Sequence, residues 1–128
     1  MRKLMLVCLA LAAASPTSAV AQTWIRYGAG QNGTVFYYDS ETIRRDGQIV
    51  RVWERQDHSQ NRSIPYREAK ALLVVNCTEQ TVGLTYLVTF NADGTIRDTI
   101  SIPSYRVQHD PAVPGSVSAS LLRALCTG

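Results

Sequence analysis

Two histidines in this sequence stand beside carboxylates, in Asp57-His58 and in His109-Asp110, and Glu68 lies near the first pair. A histidine oriented by a carboxylate can move protons, and two histidines with carboxylates can hold zinc. Neighbouring residues on a chain project in different directions, so neither dipeptide is a dyad by itself. No helix or strand spacing groups three ligands, and no metal site or cofactor is assigned. Nucleophilic catalysis has less to draw on, because no serine occupies a Gly-x-Ser-x-Gly elbow and the cysteines are expected to be oxidised. No catalytic residue is assigned. A reading as a small metal-dependent hydrolase, or as a metal- or haem-binding periplasmic protein, requires His58 and His109 to meet.

A different chemistry is written into Gln48 to Asp57. Strand alternation puts Val50 and Val52 on one face and Arg51, Trp53 and Arg55 on the other, so an indole is flanked by two guanidinium groups. Their aliphatic stems can shield a half-buried indole. The same trio can also form a recognition face, since Trp and Arg are enriched at binding hot spots. Tyr66 and Tyr105, in loops, are expected to extend it into an aromatic and cationic patch that suits a protein surface, a glycan or an anionic planar ligand such as haem.

Export bounds the remaining options. Arg2 and Lys3 precede an apolar run from Leu4 to Ala14, and Ala19-Val20-Ala21 has the small-x-small pattern of a signal-peptidase site. Residues 1–21 are read as a cleaved signal peptide and 22–128 as one domain. The apolar run is shorter than the ~20 residues of a membrane span, and Cys8 lies inside it, so neither a retained helix nor a lipid anchor is expected. Cleavage removes Arg2 and Lys3 from 13 basic residues, leaving 11 against 10 acidic ones. That near-neutral balance argues against a nucleic-acid partner. The mature protein is expected to be periplasmic or secreted. Cys77 and Cys126 remain, an even pair in an exported chain, for which a disulfide is expected.

The elements that position these residues follow from alternation and turn chemistry. Thr23–Tyr27 and Thr34–Asp39 read as strands, Ser40–Gly47 as a polar corner, Gln48–Asp57 as a third strand and His58–Arg67 as a loop. The central hairpin, Glu68–Phe90, has Ala69, Ala71, Leu73, Val75 and Cys77 on one face, and Val82, Leu84, Tyr86, Val88 and Phe90 on the matching face. Cys77 is then expected opposite Val82, around a turn at Glu79 and Gln80. A loop at Ala92-Asp93-Gly94 pairs Phe90 with Ile96, Tyr86 with Ile100 and Leu84 with Ile102, and places Asp98 opposite Val88 as an inward charge guarding the edge. Pro103–Gly115 reads as a long loop. Ser116 then caps a helix in which Val117, Leu121, Leu122 and Leu125 recur at helical spacing up to Cys126. The fold class is α+β: an antiparallel meander of about six strands with a C-terminal helix on one face and one disulfide.

In order along the chain, Trp24, Tyr38-Asp39 with Ile43 and Gly47, Val52-Trp53, Lys70 leading to Cys77, Gly94, Pro114-Gly115-Ser116 and Leu122 to Cys126 resemble the surface-adhesin protein E family of small exported bacterial proteins. The resemblance implies a bent sheet backed by a C-terminal helix stapled through the cysteine pair, with room for a homodimer. It also implies a binding protein rather than an enzyme, with an envelope or host-matrix protein as partner.

Overall fold

The computed structural model describes residues 22–127; the expected signal peptide lies outside them. Eight strands are present: β1 (Trp24–Ala29), β2 (Val35–Asp39), β3 (Arg44–Asp46), β4 (Ile49–Asp57), β5 (Glu68–Asn76), β6 (Thr81–Phe90), β7 (Ile96–Ser101) and β8 (His109–Pro111). Helix α1 (Val117–Cys126) closes the chain. All pairings are antiparallel, in the order β1-β2-β4-β5-β6-β7. β3 lies beside β2's end on β4, and β8 occupies the stretch of β6 that β7 leaves free. The six ranks of the expected meander are therefore present, with the two extra strands recruited from the polar corner and from the proline-containing loop.

The inner face carries the core. Val50 and Val52 of β4 and Ala71, Leu73 and Val75 of β5 meet Leu121, Leu122 and Leu125 of α1, all buried. Ser116 caps the helix as expected, its hydroxyl accepting from the Ala119 amide at 3.2 Å. Ten residues make a marginal helix in water, so leucine burial and the staple hold it. Cys77 and Cys126 are bonded, joining the turn after β5 to the last helical residue across 49 positions. The sheet curls until its first strand also reaches the helix, with Val117 3.4 Å from where a side chain on Gly28 would begin.

Several expected registers are overturned, at the turn of the central hairpin and at two bulges in β6 and β7. Val75, not Cys77, pairs with Val82, and Cys77–Gln80 form the turn, with Gln80 left-handed at φ 55°. Leu73 pairs with Leu84, but Leu72 then pairs with Tyr86, leaving Thr85 as an extra residue whose hydroxyl donates to the Leu72 carbonyl at 2.9 Å. A bulge of one residue exchanges the two faces beyond it. Leu87 and the buried Thr89 therefore continue the inner face, and Tyr86, Val88 and Phe90 turn outward.

A second irregularity follows beside Phe90. Phe90 pairs with Ile96 around Gly94, which is left-handed at φ 85°, as expected, but Tyr86 meets Ser101 and Leu87 meets Ile100. The Ile102 amide bonds the carbonyl of Thr85, not Leu84. Asp98 sits opposite Thr89 rather than Val88, on the inner side of the edge strand, where it is exposed and 3.5 Å from Arg97.

Candidate functional site

Alternation along β4 and the bulge in β6 together build the outer face. Directly opposite residues share a face, so Arg26 and Tyr37, Tyr37 and Arg55, Arg55 and Lys70, and Trp53 and Leu72 lie on one surface, joined by Tyr86. Arg51, Trp53 and Arg55 do share that surface. Trp53 is half-buried and packs edge-to-face on Tyr86 at 5.9 Å.

Neither arginine covers the indole. Arg55 lies over the Tyr37 ring at 5.1 Å and pairs with Glu68 at 3.2 Å. Lys70 places its ammonium 5.9 Å from the Trp24 ring and 5.6 Å from the Phe90 ring. Cations over aromatic faces are held by the ring quadrupole.

The two loop tyrosines part company with this face. Tyr66 packs edge-to-face on His58 at 5.2 Å, and the His58 ring bonds Gln56 on the inner side of β4. Tyr105 is 82 % exposed, with Arg106 5.8 Å over its own ring. In their place the structure brings in Trp24, Tyr37, Lys70, Tyr86 and Phe90. Tyr37 and Lys70 were open to alternation counting. Tyr86 and Phe90 were hidden by the bulge.

The histidines do not meet. His109 pairs with Gly83, whereas His58 bonds Arg67, which bonds Phe90, seven residues further along β6. That separation is roughly 20 Å at ~3.3 Å per residue. Among the described residues no group of three His, Cys, Asp or Glu is placed to hold a metal ion.

His58 instead belongs to a polar chain, buried at its centre, that no local pattern in the sequence marks. Ser63 Oγ donates to Asn61 Oδ1 at 2.5 Å, and Asn61 Nδ2 donates to Thr34 Oγ1 at 2.9 Å. Thr34 Oγ1 lies 2.9 Å from His58 Nδ1, and His58 Nε2 lies 3.1 Å from Gln56 Oε1. Gln56 Nε2 donates to Glu54 Oε1 at 2.7 Å, and the Tyr27 hydroxyl donates to Glu54 Oε2.

The direction of this chain follows from the partners. An amide oxygen only accepts, so His58 carries its proton on Nε2 and takes the Thr34 hydroxyl on Nδ1. Every donor then points towards Glu54. Glu54 and His58 are each 5 % exposed, so both are sealed structural groups. Burial pushes the Glu54 carboxyl above the usual carboxylate range, against the Tyr27 and Gln56 hydrogen bonds, and holds His58 below the usual histidine range. Burial first, then the Glu54 charge, pushes the Tyr27 phenol up.

The surface-adhesin protein E family model matches residues 24–127, the whole sheet and the helix. The chain belongs to the surface-adhesin protein E family. Crystal form II of Haemophilus influenzae protein E aligns with a TM-score of 0.59 at 16 % identity, covering 88 % of this chain and 93 % of that one. The selenomethionine form of that protein gives 0.59 at 17 %, covering 88 % and 92 %. Protein E from non-typeable Haemophilus influenzae gives 0.54 at 16 %, covering 88 % and 80 %. At these identities the likeness is one of fold. No curated protein matches the chain significantly. Among the described residues α1 is the sheet's one α-helical partner, and no helix there is long and apolar enough to cross a membrane.

Proposed function

We propose that this chain is an exported, non-catalytic adhesin-type domain that captures a protein partner, from the envelope or the host matrix, through the outer face of its sheet. The observation that carries the reading is the run of cations set against aromatics on that face: Arg55 over Tyr37, and Lys70 between Trp24 and Phe90, beside the half-buried Trp53. Interfaces draw their energy from such rigid aromatic and arginine anchors. The adhesin family supports a binding role, and the sealed, fully bonded Glu54 and His58 supply no accessible acid or base.

Residues 1–21 act as the export signal in this reading, with Gln22 as the first residue of the mature protein. Sequencing the amino terminus of exported protein tests that step.

Partner capture is tested by immobilising the mature protein and probing it with envelope and host-matrix proteins. Trp53→Ala with Arg51→Ala is expected to abolish capture, with only a modest loss of thermal stability. Undiminished capture by the double variant removes this face from the mechanism. Absence of any captured protein removes the protein-partner reading itself.

A further inference from the structure

One row of directly opposite residues crosses the outer face: Arg44 of β3, Arg51 of β4, Val74 of β5, Gly83 of β6 and His109 of β8. It begins with two arginines facing each other, an arrangement that costs stability when nothing neutralises it. Arg44 spends Nη1 on the carbonyls of Glu41 and Ile43, at 3.2 and 3.0 Å. Arg51 is exposed, and among the described residues no carboxylate lies within ion-pair distance of it.

Beside Arg51 the surface is hollow. Two adjoining cavities, of about 240 and 420 Å³, share Ile49, Val74 and His109. The smaller, open to solvent, is also lined by Arg51, Thr85, Ser104 and Val107, and the larger runs on to Asn76, Glu79 and Thr81. Gly83 makes the walls. A Cβ there would fall 2.8 Å from Val107 Cγ1 and 3.1 Å from His109 Nδ1, so its absence lets both residues settle onto the sheet. Thr85, the bulge residue, supplies a hydroxyl-bearing side chain to the lining.

We infer that this cleft binds a carboxylate carried on a compact apolar group, with the carboxylate on the Arg51 guanidinium and the apolar part on Ile49, Val74 and Val107. A guanidinium is a planar fork that matches a carboxylate, and an apolar wall beside it reduces competition from water. Glu79 at the far end fixes the orientation, since it repels a second acid there. Thr85 and Ser104 line the Arg51 end. The chemistry is that of a short-chain carboxylic acid, or of an acidic side chain next to an apolar residue in a peptide. This site shares Arg51 with the face proposed for protein capture but not its aromatic anchors, because a small acid needs neither Trp53 nor Arg55, so Trp53→Ala separates the two: it is expected to weaken capture and to leave hexanoate binding unchanged.

The test is titration of the mature protein, followed by amide chemical shifts, with hexanoate, with its neutral analogue hexanamide and with acetyl-Leu-Glu-Ala-amide. Hexanoate is expected to give saturable shifts confined to Ile49, Arg51, Val74, Gly83, Ser104 and their neighbours. Hexanamide, and hexanoate with Arg51→Gln, are each expected to bind roughly tenfold or more weakly, the size of one lost charged hydrogen bond. Arg51→Lys is expected to keep most of the affinity. Tighter binding of the peptide assigns the cleft to acidic peptide segments, and equal or tighter binding of hexanoate assigns it to free acids. The inference is overturned if neither acid gives saturable shifts, if hexanamide binds as well as hexanoate, or if Arg51→Gln leaves the affinity unchanged. Because Arg51 is exposed, circular dichroism of the variants is expected to match the parent.

Discussion

Replacing Glu54 by glutamine should change how the stability of this protein depends on pH. Glu54 is 5 % exposed and receives hydrogen bonds from Tyr27 and Gln56 but no cation among the described residues, and burial raises its carboxyl pKa. In the unfolded chain the same carboxyl titrates near pH ~4.3. Between that pH and the raised folded value, the native state keeps a proton that the unfolded chain has released. The stabilisation is therefore complete below about pH 4.3 and is lost as pH rises through the folded value.

The slope of that loss has a ceiling of about 1.4 kcal/mol per pH unit for one proton. Glu54→Gln cannot titrate, so its stability relative to the parent should climb with pH at up to that slope and level off once Glu54 is ionised in the native state. His58, held low by burial, contributes the opposite slope below pH ~6.5, and it does so in both proteins, so it drops out of the difference. Urea unfolding read by Trp24 and Trp53 fluorescence, in steps from about pH 4 to about pH 9 at fixed ionic strength, measures the difference directly. Tyr27→Phe removes a hydrogen bond that favours the carboxylate and should carry the window to higher pH. A stability difference between the parent and the Glu54→Gln variant that stays flat across the whole range would refute the reasoning.

Two further outcomes follow from the staple and from the glycine of the outer face. Cys126→Ser opens a loop that spans 49 positions, so stability should fall by ~4 kcal/mol on the chain-entropy account, with one thiol at Cys77 becoming titratable; thiol counting and urea midpoints check both. Gly83→Ala forces a Cβ to within 2.8 Å of Val107 Cγ1 and should cost ~1–3 kcal/mol. Val107→Ala should recover part of that cost when combined with it, and a double-mutant cycle showing no coupling would place the glycine's role elsewhere.

What lay open in the sequence was whatever depends on neighbours along the chain. The alternation of Gln48–Asp57 put Arg51, Trp53 and Arg55 on one surface, Ser116 announced its helix, Gly94 its turn, and the even pair Cys77 and Cys126 its bond. The histidine chemistry dissolved because the relative position of His58 and His109 is set by which strands pair, and β8 docks at the end of β6 remote from His58. The outer aromatic and cationic face was half-legible. Tyr37 and Lys70 follow from counting by twos, but counting by twos survives only until a residue is inserted, and Thr85 is inserted.

Nothing in the run Val82 to Phe90 marks that insertion, because apolar residues stand on both faces after it, and the side chain buried on the inner face at its end is a threonine. The polar chain from Ser63 to Glu54 was equally silent, since its members come from β1, the turn before β2, β4 and the loop beyond it. Local pattern determined the six strands of the meander, the helix, the staple and the first half of each face, while β3 and β8 formed only where β4 and β6 offered them partners. The folded sheet alone decided where Tyr86 and Phe90 point and which polar groups are sealed together, because a bulge and a hydrogen-bonded network are stabilised by partners distant in sequence.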